Sequence, residues 1–268
     1  MELTSVKQID RRYRHIYLSP HFDDVVMSCG GSIGLQTACG LQALVITAFA
    51  SAPAQMQHNP LAEQVHQKMG LPDNPQSVVE ARRKEDAAAV STLGADYLWL
   101  DLYDAIYRGA PAYYQNDEAL FGEVVSGDFP LEERLATILQ EVLERAPTAT
   151  LYAPLGIGHH VDHQLCCSAA YRLAQPGAHV KFYEDFPYVA TAGTLERRVS
   201  ELGGVLEQEL VEVSGALRLK EEAIAKYASQ VPQLFGSVPK MERAVENYMG
   251  SLRVTYPGIE IERYWATR

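Results

Sequence analysis

His15-Ile16-Tyr17-Leu18-Ser19-Pro20-His21-Phe22-Asp23-Asp24, followed by Cys29-Gly30-Gly31-Ser32-Ile33-Gly34, decides the fold. The first five residues, with Ile16, Tyr17 and Leu18 at their centre, read as a buried strand. The glycine-bearing run behind them opens a helix to Cys39. The same order recurs along the chain. Leu41 to Phe49 and Thr148 to Ala153 read as further buried strands, and Val79 to Leu93 and Leu131 to Arg145 as helices with apolar residues every three or four positions. Tyr97 to Leu102 is another strand, since Gly94 ends the helix before it. Strands alternating with helices pair in parallel through right-handed crossovers. The expected architecture is an α/β fold: a doubly wound, mostly parallel sheet with helices on both faces.

Beyond Gln175 the pattern weakens. Strands are expected at Val180 to Glu184, Val205 to Val213 and Glu260 to Trp265, and helices at Ala216 to Ser229 and Lys240 to Leu252. This divides the chain into residues 1–175, which hold the motifs described below, and a smaller C-terminal α/β portion, 176–268, completing the same domain. Two long connections, Ser51 to Ser77 and Ala105 to Pro130, lack strong periodicity and read as lids, binding loops or subunit contacts. The second carries Tyr107, Tyr113, Tyr114, Phe121 and Phe129, which suit stacking on a sugar or packing against another subunit. A homo-oligomer is expected on that ground.

The chain has 268 residues, 47% hydrophobic and 21% charged, a balance that excludes disordered and fibrous classes. Asp and Glu number 34 against 23 Lys and Arg, and a net charge of −11 repels phosphate backbones and anionic lipid. Neither nucleic acid nor membrane is an expected partner. The longest apolar stretch, Leu44 to Ala54, is interrupted and falls well short of the roughly 20 residues a bilayer span requires. Met1 to Arg14 has no apolar segment of the secretory kind, so a cytoplasmic location is expected. Cys29, Cys39, Cys166 and Cys167 form neither a CxxC pair nor an even framework, and are expected to be reduced thiols packed in the core.

Ligands of open α/β sheets bind at the carboxyl ends of strands, where His21, Asp23 and Asp24 stand. Two adjacent carboxylates in a crevice repel unless a positive charge sits beside them, and a divalent cation meets that need. A second cluster, Gly156-Ile157-Gly158-His159-His160-Val161-Asp162-His163, follows another strand and leads into a helix from Gln164 to Leu173. With Val161 in the first turn, His160 and His163 are three apart and face the same crevice. Catalytic zinc takes three protein ligands and leaves one position to water. His21, Asp24 and His163 supply nitrogen, oxygen and nitrogen. Asp23, next to a ligand but pointing elsewhere, is the available base. His160 is the donor to the oxyanion and the acid for the departing amine. Asp162 is expected to orient a histidine from behind.

One alternative is a non-haem Fe(II) oxygenase, because His21-Phe22-Asp23 with the distant His163 spells the His-x-Asp…His facial triad. Its usual all-β scaffold conflicts with the strand and helix alternation. The glycines fit neither the GxGxxG dinucleotide turn nor GxSxG.

The two motifs resemble those of the PIG-L/LmbE-like family of zinc-dependent deacetylases, written (A/P)HPDD and HxDH. Here they are Pro20-His21-Phe22-Asp23-Asp24 and His160-Val161-Asp162-His163, with similarity from Ile16 to Leu173. The resemblance implies a Rossmann-like fold that hydrolyses the N-acetyl group of an N-acetylglucosamine-type sugar or glycoside. It implies Zn²⁺, or another divalent such as Fe²⁺, on His21, Asp24 and His163, with Asp23 as base and His160 as acid or oxyanion donor. The motif spacing favours His160 over His159 as the inward imidazole. Arg82, in Arg82-Arg83-Lys84-Glu85, and Asp104 with Arg108 nearby are implied substrate contacts, the expected partner being a small amino sugar. By themselves Arg82 and Glu85 read as a helix-surface ion pair. Phe22 stands where the family has proline, and Val25 where it often has an acid; neither is an implied ligand, so the pocket wall is altered but the chemistry is kept.

Overall fold

The computed structural model describes residues 1–55, 58–72, 74–174, 178–203, 206–252 and 258–267. Eight strands form one sheet: β1 (Glu2–Leu3), β2 (Tyr13–Ser19), β3 (Gln42–Thr47), β4 (Asp96–Trp99), β5 (Thr150–Pro154), β6 (Val180–Tyr183), β7 (Leu206–Glu212) and β8 (Ile261–Thr267). Their order is β1-β4-β3-β2-β5-β6-β8-β7. β1 to β6 run parallel, while β8 pairs antiparallel with both β6 and β7. The helices are α1 (Asp24–Ala38), α2 (Pro60–Lys68), α3 (Pro75–Thr92), α4 (Asp117–Leu120), α5 (Phe129–Arg145), α6 (Val161–Tyr171), α7 (Thr194–Leu202), α8 (Leu217–Ile224), α9 (Val231–Phe235) and α10 (Val238–Ser251).

Side chains alternate across a strand, so β2 sends Ile16 and Leu18 to one face and Tyr17 to the other. The parallel register continues this alternation into β3, with Ile16 opposite Leu44, Tyr17 opposite Val45 and Leu18 opposite Ile46. The first face packs against Leu135, Leu139 and Val142 of α5 and Leu165 and Ala169 of α6. The second packs against Val25 and Ile33 of α1, Val90 of α3, Ile224 of α8 and Val245 of α10. The fold is the mostly parallel α/β sheet with helices on both faces that the sequence implied, and the C-terminal β7 and β8 extend that same sheet.

Several expectations shift in detail. The first helix begins at Asp24 rather than Cys29, which places the glycines inside it. They are there because β8 and its neighbours come close: a Cβ on Gly31 would lie 2.9 Å from Val213 and from Glu262. The expected helix Ala216 to Ser229 stops at Ile224 because Glu85, on α3, accepts hydrogen bonds from the amide and hydroxyl of Ser229 at 2.9 and 2.6 Å and pins a turn. Both long connections contain helix, α2 in the first and α4 in the second, joined in a small cluster of Leu61, Ala62, Ile106, Tyr114, Leu120 and Val161. Cys39 is exposed at the end of α1, whereas Cys29, Cys166 and Cys167 are buried thiols. The expected strand start at Val205 and the boundary at residues 175 and 176 lie outside the described residues. Among those described, no helix is long and apolar enough to cross a membrane.

Candidate functional site

The carboxyl ends of β2 and β5 are adjacent in the sheet, so the segments after them share one crevice. A cleft of about 290 Å³ opens there, lined by His21, Asp23, Asp24, Arg82, Asp104 and His160 together with apolar Met27, Val65, Met69, Leu120, Phe121 and Tyr188. Two sequence clusters separated by more than a hundred residues thus meet at one opening.

Asp24 sits between two imidazoles. Its Oδ2 accepts the His21 amide at 2.8 Å and lies 3.3 Å from both His21 Nδ1 and His163 Nε2. Burial alone would raise this carboxyl, but the two imidazoles hold it well below the ordinary range. Burial lowers His163, yet Asp24 and Asp185 outweigh it and lift the ring to about 9. Burial opposes the charge on His21 in the same way, and Asp104, Asp162 and Asp24 hold it well above the usual histidine value. His21, His160 and His163 each bring a ring nitrogen within 4.8 Å of the others.

The fit to a cation rests on one atom in particular. His163 Nε2 is buried without a hydrogen-bond partner, although its Nδ1 is 2.7 Å from Asp185 Oδ1. A buried nitrogen left open, beside a carboxylate and facing two other imidazoles, is a ligand position in search of a Lewis acid. The set also offers the nitrogen and oxygen donors that zinc takes.

Around this centre the remaining residues separate by role. Asp23 lies 3.1 Å from Arg82 Nη2; burial raises its carboxyl, with Arg82 opposing. Arg82 therefore pairs with Asp23 and not with Glu85. Phe22 supports that arrangement, its ring lying 5.2 Å beneath the guanidinium. The ring of His160 stands edge-on to His21 at 4.7 Å, and its Nδ1 accepts the Asp162 amide at 3.2 Å. Burial and the charge on His21 keep it well below the usual histidine value, hence neutral. Asp162 receives His21 Nε2 at 2.9 Å and the Ala105 amide at 3.0 Å.

Asp104 lines the cleft, 3.8 Å from His21 Nε2, and caps the Ile106 amide. Arg108 sits elsewhere. Implied as a substrate contact, it does not line this cleft: its guanidinium is buried behind Asp162, donating to it at 2.5 Å and to Asp128 at 2.9 Å. A fixed positive charge there lets Asp162 stay ionised, with its carboxyl well below the ordinary range despite burial. His159 turns away from the cleft to Glu201, at 2.7 Å.

Sequence reasoning missed Asp185, whose Oδ2 accepts the Gly156 and Ile157 amides at 2.8 Å while Oδ1 meets His163. A signal existed, since Asp185 follows a strand end. Tyr188 was missed too; it packs at 5.7 Å against the His163 ring, over Gly158, where a Cβ would lie 2.6 Å from the tyrosine ring. It carries no sequence mark that separates it from the other tyrosines.

Comparison with known proteins identifies the family and the fold. The family profile described as PIG-L: GlcNAc-PI de-N-acetylase matches residues 16–174. A 2'-N-acetylparomamine deacetylase of Niallia circulans is 30% identical over 235 residues, 82% of each chain. One from Streptomyces fradiae is 31% identical over 226 residues, 82% of this chain and 74% of that one. Among solved structures, the zinc-inhibited form of a teicoplanin deacetylase superposes with a TM-score of 0.80 at 25% identity, covering 94% of this chain and 97% of that one.

Proposed function

Because the chain belongs to the PIG-L family of deacetylases, we propose that it hydrolyses the N-acetyl group of an N-acetylglucosamine-type amino sugar or glycoside with the help of a divalent cation. The observation that carries this is the Asp24 carboxylate at 3.3 Å from His21 Nδ1 and from His163 Nε2, the latter a buried nitrogen with no hydrogen-bond partner. His21, Asp24 and His163 are the residues that would hold the ion, zinc by their donor chemistry. Such an ion, when bound, would supply Lewis acidity, lowering the pKa of water to roughly 7 and polarising the acyl carbonyl.

The chain's own groups do the rest. Asp23 takes the proton of the attacking water, held by Arg82 so that its carboxylate stays off the ligand cluster. A neutral His160 whose Nδ1 accepts a backbone amide carries its proton on Nε2, and that N–H donates to the acyl oxygen as charge builds on it. Since the ring is neutral, the proton for the departing amine comes from Asp23, which has just acquired one. The sequence-based reading gives that role to His160; the present proposal gives it to Asp23. Asp104 and Arg82 line the cleft and are placed to meet sugar hydroxyls, and Phe121 offers a ring at its mouth. The two relatives from Niallia circulans and Streptomyces fradiae are deacetylases of 2'-N-acetylparomamine, which supports that substrate class.

The oxygenase alternative is set aside. Its usual scaffold is all-β and its triad takes Asp23 as a ligand, whereas the fold is α/β and Asp23 pairs with Arg82. The decisive experiment is acetate release from a panel of N-acetylglucosaminyl glycosides, N-acetylated aminoglycosides included, using zinc-loaded protein. Turnover of at least one member is expected; release from none would overturn the assignment.

A further inference from the structure

We propose that Arg198 and Glu201 of α7 are positioning residues: they hold Leu155–His159 in the backbone course that turns His160 into the cleft. The inference rests on the role given to His160 above.

His159 has φ of +65°, and among the described residues no other non-glycine has a positive φ. A residue with a Cβ occupies that region only when its surroundings impose it. Three side chains impose it here from outside the cleft. Arg198 Nε donates to the Leu155 carbonyl at 2.8 Å, Gln164 Nε2 to the His159 carbonyl at 2.6 Å, and His159 Nε2 lies 2.7 Å from Glu201 Oε2. Glu201 is itself held by Arg197 at 2.9 Å. On the inner side Asp185 receives the Gly156 and Ile157 amides. Gly156 admits this closeness, since a Cβ there would lie 2.9 Å from the Arg198 guanidinium.

Two adjacent histidines consequently point opposite ways, His159 to α7 and His160 to His21. Were residue 159 to relax to negative φ, the peptide joining it to His160 would rotate and the second imidazole would lose its aim. α7 rests on the core through half-buried Leu195, Val199 and Leu202, and turns Arg198 and Glu201 toward this segment.

The test uses the full metal-loaded chain and measures kcat, KM, zinc affinity against a chromophoric chelator, and unfolding temperature. His159→Val, β-branched and hostile to positive φ, is expected to lose about 30-fold or more in kcat, with KM and zinc affinity within about threefold of the parent. His159→Gly, for which positive φ is open but which gives up the Glu201 contact and leaves Arg198 and Gln164 to hold the segment, is expected to fall between the two, about five- to tenfold below the parent in kcat. Adding Arg198→Met to His159→Gly, which frees a flexible residue from a clamp, is expected to bring turnover down to the valine level. Parental kcat in His159→Val, glycine as slow as valine, or a loss that only tracks zinc affinity or unfolding would each overturn the proposal. Asp23→Asn assayed in parallel separates the two readings. If it too keeps parental turnover, the function proposed for the site fails; if it alone is inactive while His159→Val is not, only the role of α7 fails.

Discussion

Helix α1 touches two buried ionic clusters, and they differ in one respect. At its middle, Glu262 of β8 accepts the Gly31 amide and Lys220 Nζ at 2.8 Å on one oxygen, and the Ser32 amide and Tyr264 hydroxyl at 2.9 and 3.1 Å on the other. Lys220 also reaches the Ser28 carbonyl. Both glutamate oxygens are used, and the pair ties α1, α8 and β8 together. At its N-terminus, Asp24 faces two imidazoles of which one keeps a buried nitrogen open. Burial costs both clusters solvation. Where the gain is structural, partners saturate the charges; where it is chemical, a valence is left for something the chain does not supply.

That contrast can be broken by experiment. Chelating the metal is expected to abolish turnover, with zinc restoring it, while the unfolding transition stays cooperative because the Glu262 cluster needs no ion; loss of the fold on chelation would erase the distinction. Asp23→Asn is expected to lower kcat by about 10³-fold with zinc affinity preserved, since it removes a proton acceptor and no ligand. A variant still turning over near the parental rate assigns the base elsewhere.

Glu262→Gln leaves Lys220 buried without its counter-charge and is expected to cost about 3 kcal/mol of stability in denaturant titration. Turnover per folded molecule should not change; a kcat effect would mean that the two clusters are coupled along α1. The smallest effect concerns Asp86, buried between Trp99 Nε1 at 2.7 Å and the Tyr227 hydroxyl at 2.9 Å. Burial outweighs both donors and pushes its carboxyl up to about 7. The folded chain therefore keeps a proton that the unfolded chain releases near pH 4, so this group's contribution is full below that pH and falls as pH rises toward 7. Stability measured across that window should decline by a few kcal/mol at most, and Asp86→Asn should flatten the slope. An unchanged slope would locate the titration elsewhere.

Much of the molecule was legible from local pattern. β2, β3, β5 and β6 announce themselves as short apolar runs, and α3 and α5 as periodic ones, because burial on the sheet dictates both. α7 escaped, although Leu195, Val199 and Leu202 recur at helical spacing, because three half-buried residues on a nine-residue surface helix make a faint signal. The helix that ends at Ile224 was overextended because the Glu85 to Ser229 bonds that stop it join residues 144 apart.

The sequence by itself determined the alternating fold, the family, and the residue types gathered at two strand ends, since all of these follow from periodicity and from motifs a few residues long. Tertiary structure alone decided which way each group faces. Asp24 stands between the imidazoles while Asp23 pairs with Arg82, Arg108 braces Asp162 from behind, and Asp185 and α7 reach the segments that build the site from the far half of the chain. Orientation depends on backbone torsions and partners distant in sequence, and a local pattern contains neither.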